Sequence, residues 1–172
     1  MDKRQAIIDE IPSLRRFARA LSGNQTLADD LVQDCLERAL SRLDLWQQNT
    51  NMRAWLFTIL RNIYINQLRS SARRPNEYSY DEQQELMAST APTQGQGLFL
   101  RDLESALNML PEQQREVIIL IGVEGVNYKD ASQILGIPIG TVMSRLSRGR
   151  ESLKNLMDGD HKGGKPNLRS VK

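Results

Sequence analysis

Few side chains in this 172-residue chain are suited to making or breaking covalent bonds. It contains one cysteine, Cys35, and one histidine, His161. That excludes an internal disulfide, a zinc-ligand cluster and a Cys–His nucleophile pair. No Gly-rich phosphate loop and no nucleophile–base spacing is present, so a catalytic role has almost no support and no cofactor or metal is expected. What the chain does carry is arginine, asparagine and short hydroxyl side chains at helical spacing. Their chemistry is hydrogen bonding to base edges and phosphates.

The most specific pattern runs from Tyr128 to Arg150, YKDASQILGIPIGTVMSRLSRGR. A short helix capped by Asn127 is expected to end at Leu135, with Gly136 supplying the positive φ of a sharp turn. Ile137 plugs the angle between two helices, and Pro138 starts the second. Ala131 is small where the helices cross, and Val142 and Leu146 face inward, followed by Leu153 and Leu156. This is helix-turn-helix chemistry. At about 100° per residue, Gly140, Met143, Ser144, Ser147, Arg148 and Glu151 fall on the opposite face, flanked by Thr141 and Arg145. Arg148 has the reach for a guanine edge, Ser144 and Ser147 for bases or phosphate, and Arg145, Arg150 and Lys154 for phosphates.

Two further faces carry polar chemistry. Between Arg53 and Arg74 there are five arginines and no acid. There Thr58, Arg61, Asn62, Ile65 and Arg69 lie opposite the apolar residues of one helix, with Asn66 at the edge. The preceding loop, Trp46 to Asn51, is polar with one aromatic, which suits an unstacked base. A solvated arginine face with Trp46 and Trp55 in the core would give the same pattern. Conversely, Asp29 to Asp44 holds five acids against two arginines. Acids in the first turn of that helix complement its dipole; a basic protein partner is the sharper reading. Such segregation points to two surfaces for different partners, although the net charge is only +2.

The elements that must hold these faces are helical. Apolar stripes run through Ile7, Ile8, Ile11, Leu14, Phe17, Ala18 and Leu21; through Leu31, Cys35, Leu36, Ala39, Leu40 and Leu43; and through Met52, Leu56, Ile59, Leu60 and Ile63. Periodicity stops across residues 71–98 and resumes at Phe99, Leu103, Ala106, Leu107 and Leu110. Val117 to Ile121 is strand-like in composition, but Glu112-Gln-Gln-Arg-Glu opens a helix and no pairing strand is near. Residues 158–172 lack apolar period and read as a disordered tail. An all-α chain is therefore expected: domains over residues 1–70 and 99–157, joined by a flexible linker at 71–98. No signal-peptide core and no span of about 18 apolar residues is present, consistent with a cytoplasmic protein.

Four segments in order resemble the small extracytoplasmic-function sigma factors of bacterial RNA polymerase, within the sigma-70 family. Leu27-Ala-Asp-Asp-Leu-Val-Gln-Asp is similar to the polymerase-binding helix of sigma region 2, and Asn51-Met-Arg-Ala-Trp-Leu-Phe-Thr-Ile-Leu-Arg-Asn62 to its −10 segment. Leu110-Pro-Glu-Gln-Gln-Arg-Glu-Val is similar to the opening of region 4, and Ile137 to Arg150 to its −35 recognition helix. The resemblance implies that Asp30, Gln33, Asp34 and Glu37 dock on the clamp helices of the polymerase's largest subunit, with the flap as a second polymerase contact. It implies −10 contacts from Trp46, Asn49, Asn51, Arg61, Asn62, Asn66 and Arg69. It implies −35 contacts from Thr141, Met143, Ser144, Arg145, Ser147 and Arg148. It further implies promoter DNA as ligand and an anti-sigma protein as regulator in a stress response. Met143 departs from the usual Lys or Arg, and Gly149 from a frequent Ala. Two rivals remain: a sigma mimic that sequesters an anti-sigma factor without using DNA, and an ordinary helix-turn-helix regulator.

Overall fold

The computed structural model describes residues 2–47, 50–73 and 94–162, with side chains between 94 and 162 described from 97 to 159. Every regular element among them is helical.

The N-terminal half begins with α1 (Lys3–Asp9), capped by the Asp2 carboxylate accepting from the Arg4 N–H at 3.0 Å. The apolar series from Ile7 to Leu21 is split into two helices, because Pro12 has no N–H to continue a helix and sits in the first turn of α2 (Ile11–Ser22). Gly23, at φ +65°, ends α2. Asn24 then caps α3 (Gln25–Ser41), its side-chain oxygen accepting from the Leu27 N–H at 3.0 Å. A single 3₁₀ turn (Leu43–Leu45) leads toward α4 (Met52–Ala72), capped by Asn51. Helices α2, α3 and α4 pack around Leu14, Phe17, Leu31, Cys35, Leu56, Leu60 and Ile63. Phe57 joins them, its ring centroid 4.8 Å from that of Phe17. Phe57 stood outside the apolar stripe read from the sequence, whereas Ile59, which stood in it, is only half-buried.

The C-terminal half comprises α5 (Gln94–Met109), α6 (Glu112–Val117), α7 (Tyr128–Leu135) and α8 (Ile139–Lys162). Pro111 precedes α6, which runs into one π-helical stretch, Ile118–Val123. The strand-like run Val117–Leu120 is thus helical and buried, as the Glu-Gln-Gln-Arg-Glu opening required. Gly125, at φ +65°, releases the chain toward α7.

Helix α8 extends to Lys162, five residues into the segment expected to be a disordered tail. The local reason is that Leu153, Leu156 and Met157 stay half-buried, so the helix is anchored up to the point where apolar period fades. Residues 163–172 and most of the expected linker, 74–93, lie outside the described residues; the last residues of that linker, from Gln94, are helical.

Gly149 is buried where α8 crosses α6. A Cβ there would lie 2.8 Å from Ile118 Cδ1, 3.2 Å from Ile118 Cγ1 and 3.3 Å from Gln114 Cβ. Gln114 Cβ is bonded to the α6 backbone and Ile118 Cγ1 to the Cβ of the first π-helical residue, so rotation of one methyl does not relieve the overlap. Gly149→Ala gains about 1 kcal/mol of helix propensity but overpacks a crossing at a cost of roughly 1–3 kcal/mol. The expected net result is destabilisation of about 1 kcal/mol by chemical denaturation; a more stable variant would refute the packing argument.

Candidate nucleic-acid and polymerase interfaces

The turn between α7 and α8 forms as its residue types demand. Asn127 caps α7 by accepting from the Asp130 N–H at 2.8 Å. Gly136 takes φ +65° and its N–H donates to the Ser132 carbonyl, while Ile137 N–H donates to the same carbonyl at 3.2 Å. Ala131 is fully buried at the crossing, and Val142 and Leu146 are buried on the inner face of α8. The outer face presents Met143, Ser147 and Arg148 to solvent, with Thr141, Ser144 and Arg145 half-buried beside them. Ser144 Oγ donates to the Thr141 carbonyl at 3.1 Å. Arg148 has no ion pair among the described residues. An exposed arginine with no ion pair among the described residues, flanked by short polar groups on the outer face of α8, has the chemistry to meet base edges in a major groove.

On α3, Asp30, Gln33 and Glu37 are exposed and Asp34 is half-buried. Gln33 Nε2 donates to Glu37 Oε1 at 3.2 Å. Beside them lies an open groove between α2 and α3. Ile11, Val32, Leu36 and Leu40 supply apolar surface, and Arg15, Asp29, Gln33 and Glu37 supply charge and hydrogen bonding. Leu40 is 50% exposed. The apolar part of this groove was not read as a site from the sequence, where Leu36 and Leu40 counted as core. Their exposure depends on how α2 lies across α3, which local periodicity does not report. Cys35 points the other way: it is fully buried and its Sγ donates to the Leu56 carbonyl at 3.5 Å. Burial pushes the thiol up to about 12, against the pull of the Arg38 charge, so it is an inert core residue.

The α4 residues divide. Asn62, Asn66 and Arg69 are exposed. Arg61 is not free: its Nε and one Nη donate to the two carboxylate oxygens of Glu116 on α6, at 3.2 and 3.4 Å. Asn51 Nδ2 donates to Asp130 Oδ2 on α7 at 3.0 Å. Trp46 is half-buried against the core, with Lys3 Nζ 5.8 Å from the ring centroid and donating to the Trp46 carbonyl at 3.4 Å. Its indole Nε1 is buried without a partner among the described residues. Asn49 lies outside the described residues.

Arg61 and Asn51 belong to a wider set of contacts between the two halves. Arg16 on α2 donates from Nε at 2.7 Å and from an Nη at 3.0 Å to the two carboxylate oxygens of Glu124, whose side chain is wholly buried. Arg53 on α4 donates to the Glu124 carbonyl at 3.0 Å and to Glu10 Oε2 at 2.6 Å. Donation of its N–H groups to the Glu124 carboxylate holds Arg16 more firmly protonated than usual. Burial pushes the Glu116 carboxyl above the usual range, and the charges of Arg61 and Arg145 only partly pull it back. Tyr64, between the halves on α4, is pushed up to about 12 by burial and by the nearby Glu112 carboxylate. None of these acids stood among the residues expected to matter. The one sequence signal was an acid, Glu116, standing next to a run of buried apolar residues.

Two family models match, in the order of the two halves. The model described as the sigma2 domain of PhyR matches residues 7–61, and that described as sigma-70, region 4 matches residues 100–153. The N-terminal helices are thus a sigma region 2 body and the C-terminal helices a region 4 body. Among curated relatives, the ECF RNA polymerase sigma factor EcfG of Rhodopseudomonas palustris (strain TIE-1) is 42% identical over 90% of this chain and 84% of its own length. The RNA polymerase sigma factor HrpL of Pseudomonas syringae pv. syringae is 31% identical over 90% of this chain and 86% of its own. Among solved structures, the sigma factor RpoE from Bartonella quintana, in complex with the anti-sigma factor NepR, superimposes with a TM-score of 0.75. It is 40% identical over 91% of this chain and 96% of that one. The chain belongs to the extracytoplasmic-function sigma factors, and as such it is a transcription-initiation factor and not an enzyme.

Proposed function

We propose that region 2 of this chain docks on core RNA polymerase through α3 and the α2–α3 groove, while α4 meets the −10 element and α8 reads the −35 element. Asp30, Gln33, Asp34 and Glu37 would face the clamp helices of the largest subunit. Trp46, Asn49, Asn51, Arg61, Asn62, Asn66 and Arg69 would handle the −10 region, and Thr141, Met143, Ser144, Arg145, Ser147 and Arg148 the −35 region. The observation that carries this reading is the outward polar face of α8, with an unpaired Arg148, on a helix-turn-helix whose inner face is fully packed. Two DNA-binding bodies on one chain raise the effective concentration of the second site once the first is engaged. Catalysis stays with the polymerase, so the setting is cytoplasmic. No helix among the described residues is long and apolar enough to cross a membrane. An anti-sigma protein of the kind seen with RpoE of Bartonella quintana is the expected regulator, in keeping with a stress-response role.

One observation favours the mimic reading: the region 2 model is that of PhyR, and the complex of the anti-anti-sigma factor PhyR with NepR from Bartonella quintana shares the fold at 20% identity. Identity of 40–42% to sigma factors outweighs it. Run-off transcription with purified core polymerase and a promoter library separates the two. Specific start sites support the sigma reading, and their absence together with tight anti-sigma binding supports the mimic. Within that assay Arg148→Ala is expected to lose discrimination at one −35 position, by about 1–3 kcal/mol for a bidentate base contact. Unchanged selectivity across the library would reject the assignment.

A further inference from the structure

The N-terminal helix α1 touches both ends of the loop that leads into α4. Its first residue, Lys3, reaches the start of the loop, where Nζ donates to the Trp46 carbonyl at 3.4 Å and to the Leu43 carbonyl at 3.5 Å. The same ammonium stands 5.8 Å from the Trp46 ring centroid. Both carbonyls lie at the end of the 3₁₀ turn Leu43–Leu45, where partial negative charge collects and a cation is favoured. The Trp46 indole N–H is buried without a partner among the described residues, so no hydrogen bond of its own holds the ring. At the other end of α1, Glu10 reaches the exit of the loop. Its Oε2 accepts from Nε of Arg53 at 2.6 Å, in the first turn of α4 and just past the Asn51 cap. The helix between these two grips is firm. Asp2 caps it, Gln5 Nε2 donates to Asp9 Oδ1 at 2.9 Å, and Ile7 is buried in the core. Glu10 joins it to α2, its carbonyl accepting from the Leu14 N–H at 2.9 Å.

We propose that α1 is a brace that sets the span of the Trp46–Asn51 loop, with Lys3 and Glu10 as positioning residues for −10 recognition. The inference rests on reading that loop and α4 as the −10-binding element, and it adds residues that lie outside both. The seven residues of α1, at about 1.5 Å each, keep the two grips about 10 Å apart. A chain the length of Trp46–Asn51 can extend to about 17 Å, so its own length does not fix its ends. A loop whose ends are already set captures an unstacked base with less ordering cost, which favours binding. The bond from Arg53 to region 4 leaves from Nη1 and is separate from the one Glu10 accepts. Lys3 makes no hydrogen bond or ion pair with region 4 among the described residues, so its grip acts within region 2. A strut fails when either end lets go, and losing the second end then adds little. Two independent contacts would instead lose their effects additively in free energy.

The test uses the full chain with core polymerase, on a promoter it initiates from and on single-base −10 and −35 substitutions of that promoter. Lys3→Met keeps the apolar stem and removes the charge; Glu10→Gln removes the charge on Arg53. Each is expected to lower the preference for the unsubstituted −10 element about fivefold, the scale of one charged hydrogen bond, while preference at −35 moves less than about twofold. The double variant should also fall about fivefold, not the roughly 25-fold of independent sites. Lys3→Arg should keep most of the wild-type preference. A second readout needs no DNA. In a Trp55→Phe chain Trp46 is the one indole left, and its quenching by acrylamide should rise about twofold in either variant as the ring gains solvent. Circular dichroism checks helicity, and Glu10→Asp, which withdraws the carboxylate from Arg53, replaces Glu10→Gln if that variant loses it. Unchanged −10 preference, an equal loss at −35, losses that multiply in the double variant, or unchanged quenching would overturn the brace. The −10 assignment fails on a separate result, a wild-type chain indifferent to −10 substitution. That result would end the functional half of the inference, while the quenching still reports whether α1 holds Trp46.

Discussion

Phe57→Ala is expected to unfold region 2 near physiological temperature. Phe57 is fully buried on α4, and its ring meets Phe17 of α2 at 4.8 Å, tilted by 42°. Truncating a buried phenylalanine costs about 3–5 kcal/mol from lost transfer energy and the cavity left behind, and the aromatic pair adds to that loss. A helical body of this size has only a few kcal/mol in hand, because small domains bury a modest fraction of their surface. For a domain of 60–100 residues each kcal/mol moves Tm by about 4–8 °C, so the drop should exceed about 12 °C. Thermal circular dichroism of the full chain is the measurement. A shift below about 5 °C would mean that α2 and α4 collapse onto the gap, and that the pair is not central to the bundle.

Leu40→Asp should leave the fold in place and remove binding to core polymerase. Leu40 is half-exposed at the edge of the α2–α3 groove, so replacing it changes little within the chain. In a complex it would be an apolar contact buried by the partner, where single truncations reach about 2–4 kcal/mol, roughly 30-fold to 1,000-fold in affinity. A buried aspartate in that place adds a desolvation cost. Asp34→Lys, on the same helix, is expected to act in the same direction through charge reversal against a basic partner surface. The check is titration of labelled variant with core enzyme, alongside an unchanged far-ultraviolet spectrum. Wild-type affinity for both variants would remove the groove from the proposal.

The parts of the molecule that were legible in the sequence are those whose cause is local. Gly136, Pro138 and the spacing of Ala131, Val142 and Leu146 specify a helix-turn-helix because turn geometry and side-chain size act within a few residues. The three N-terminal stripes specify a bundle for the same reason. Pro12 acts locally too, dividing the Ile7–Leu21 series into α1 and α2. Three features had no local cause. Phe57 is buried because α2 presents Phe17 to it. Leu40 is exposed because no element covers that edge of α3. Glu124 is buried because Arg16 lies against it across 108 positions of sequence. For the same reason the −10 candidates Asn51 and Arg61 could be named from their types, but their engagement by region 4 could not.

The division of α8 into two faces has an evolutionary consequence. Val142, Leu146 and Gly149 are committed to packing, whereas Met143, Ser147 and Arg148 have no core neighbour to disturb. Substitutions at such outward sites typically alter stability by no more than about 0.5 kcal/mol. Under the −35 role proposed for these residues, a duplicate of this gene would be free to drift toward new target sequences one outward residue at a time, with folding held constant throughout. A set of mutually insulated regulators needs little more from the scaffold than that.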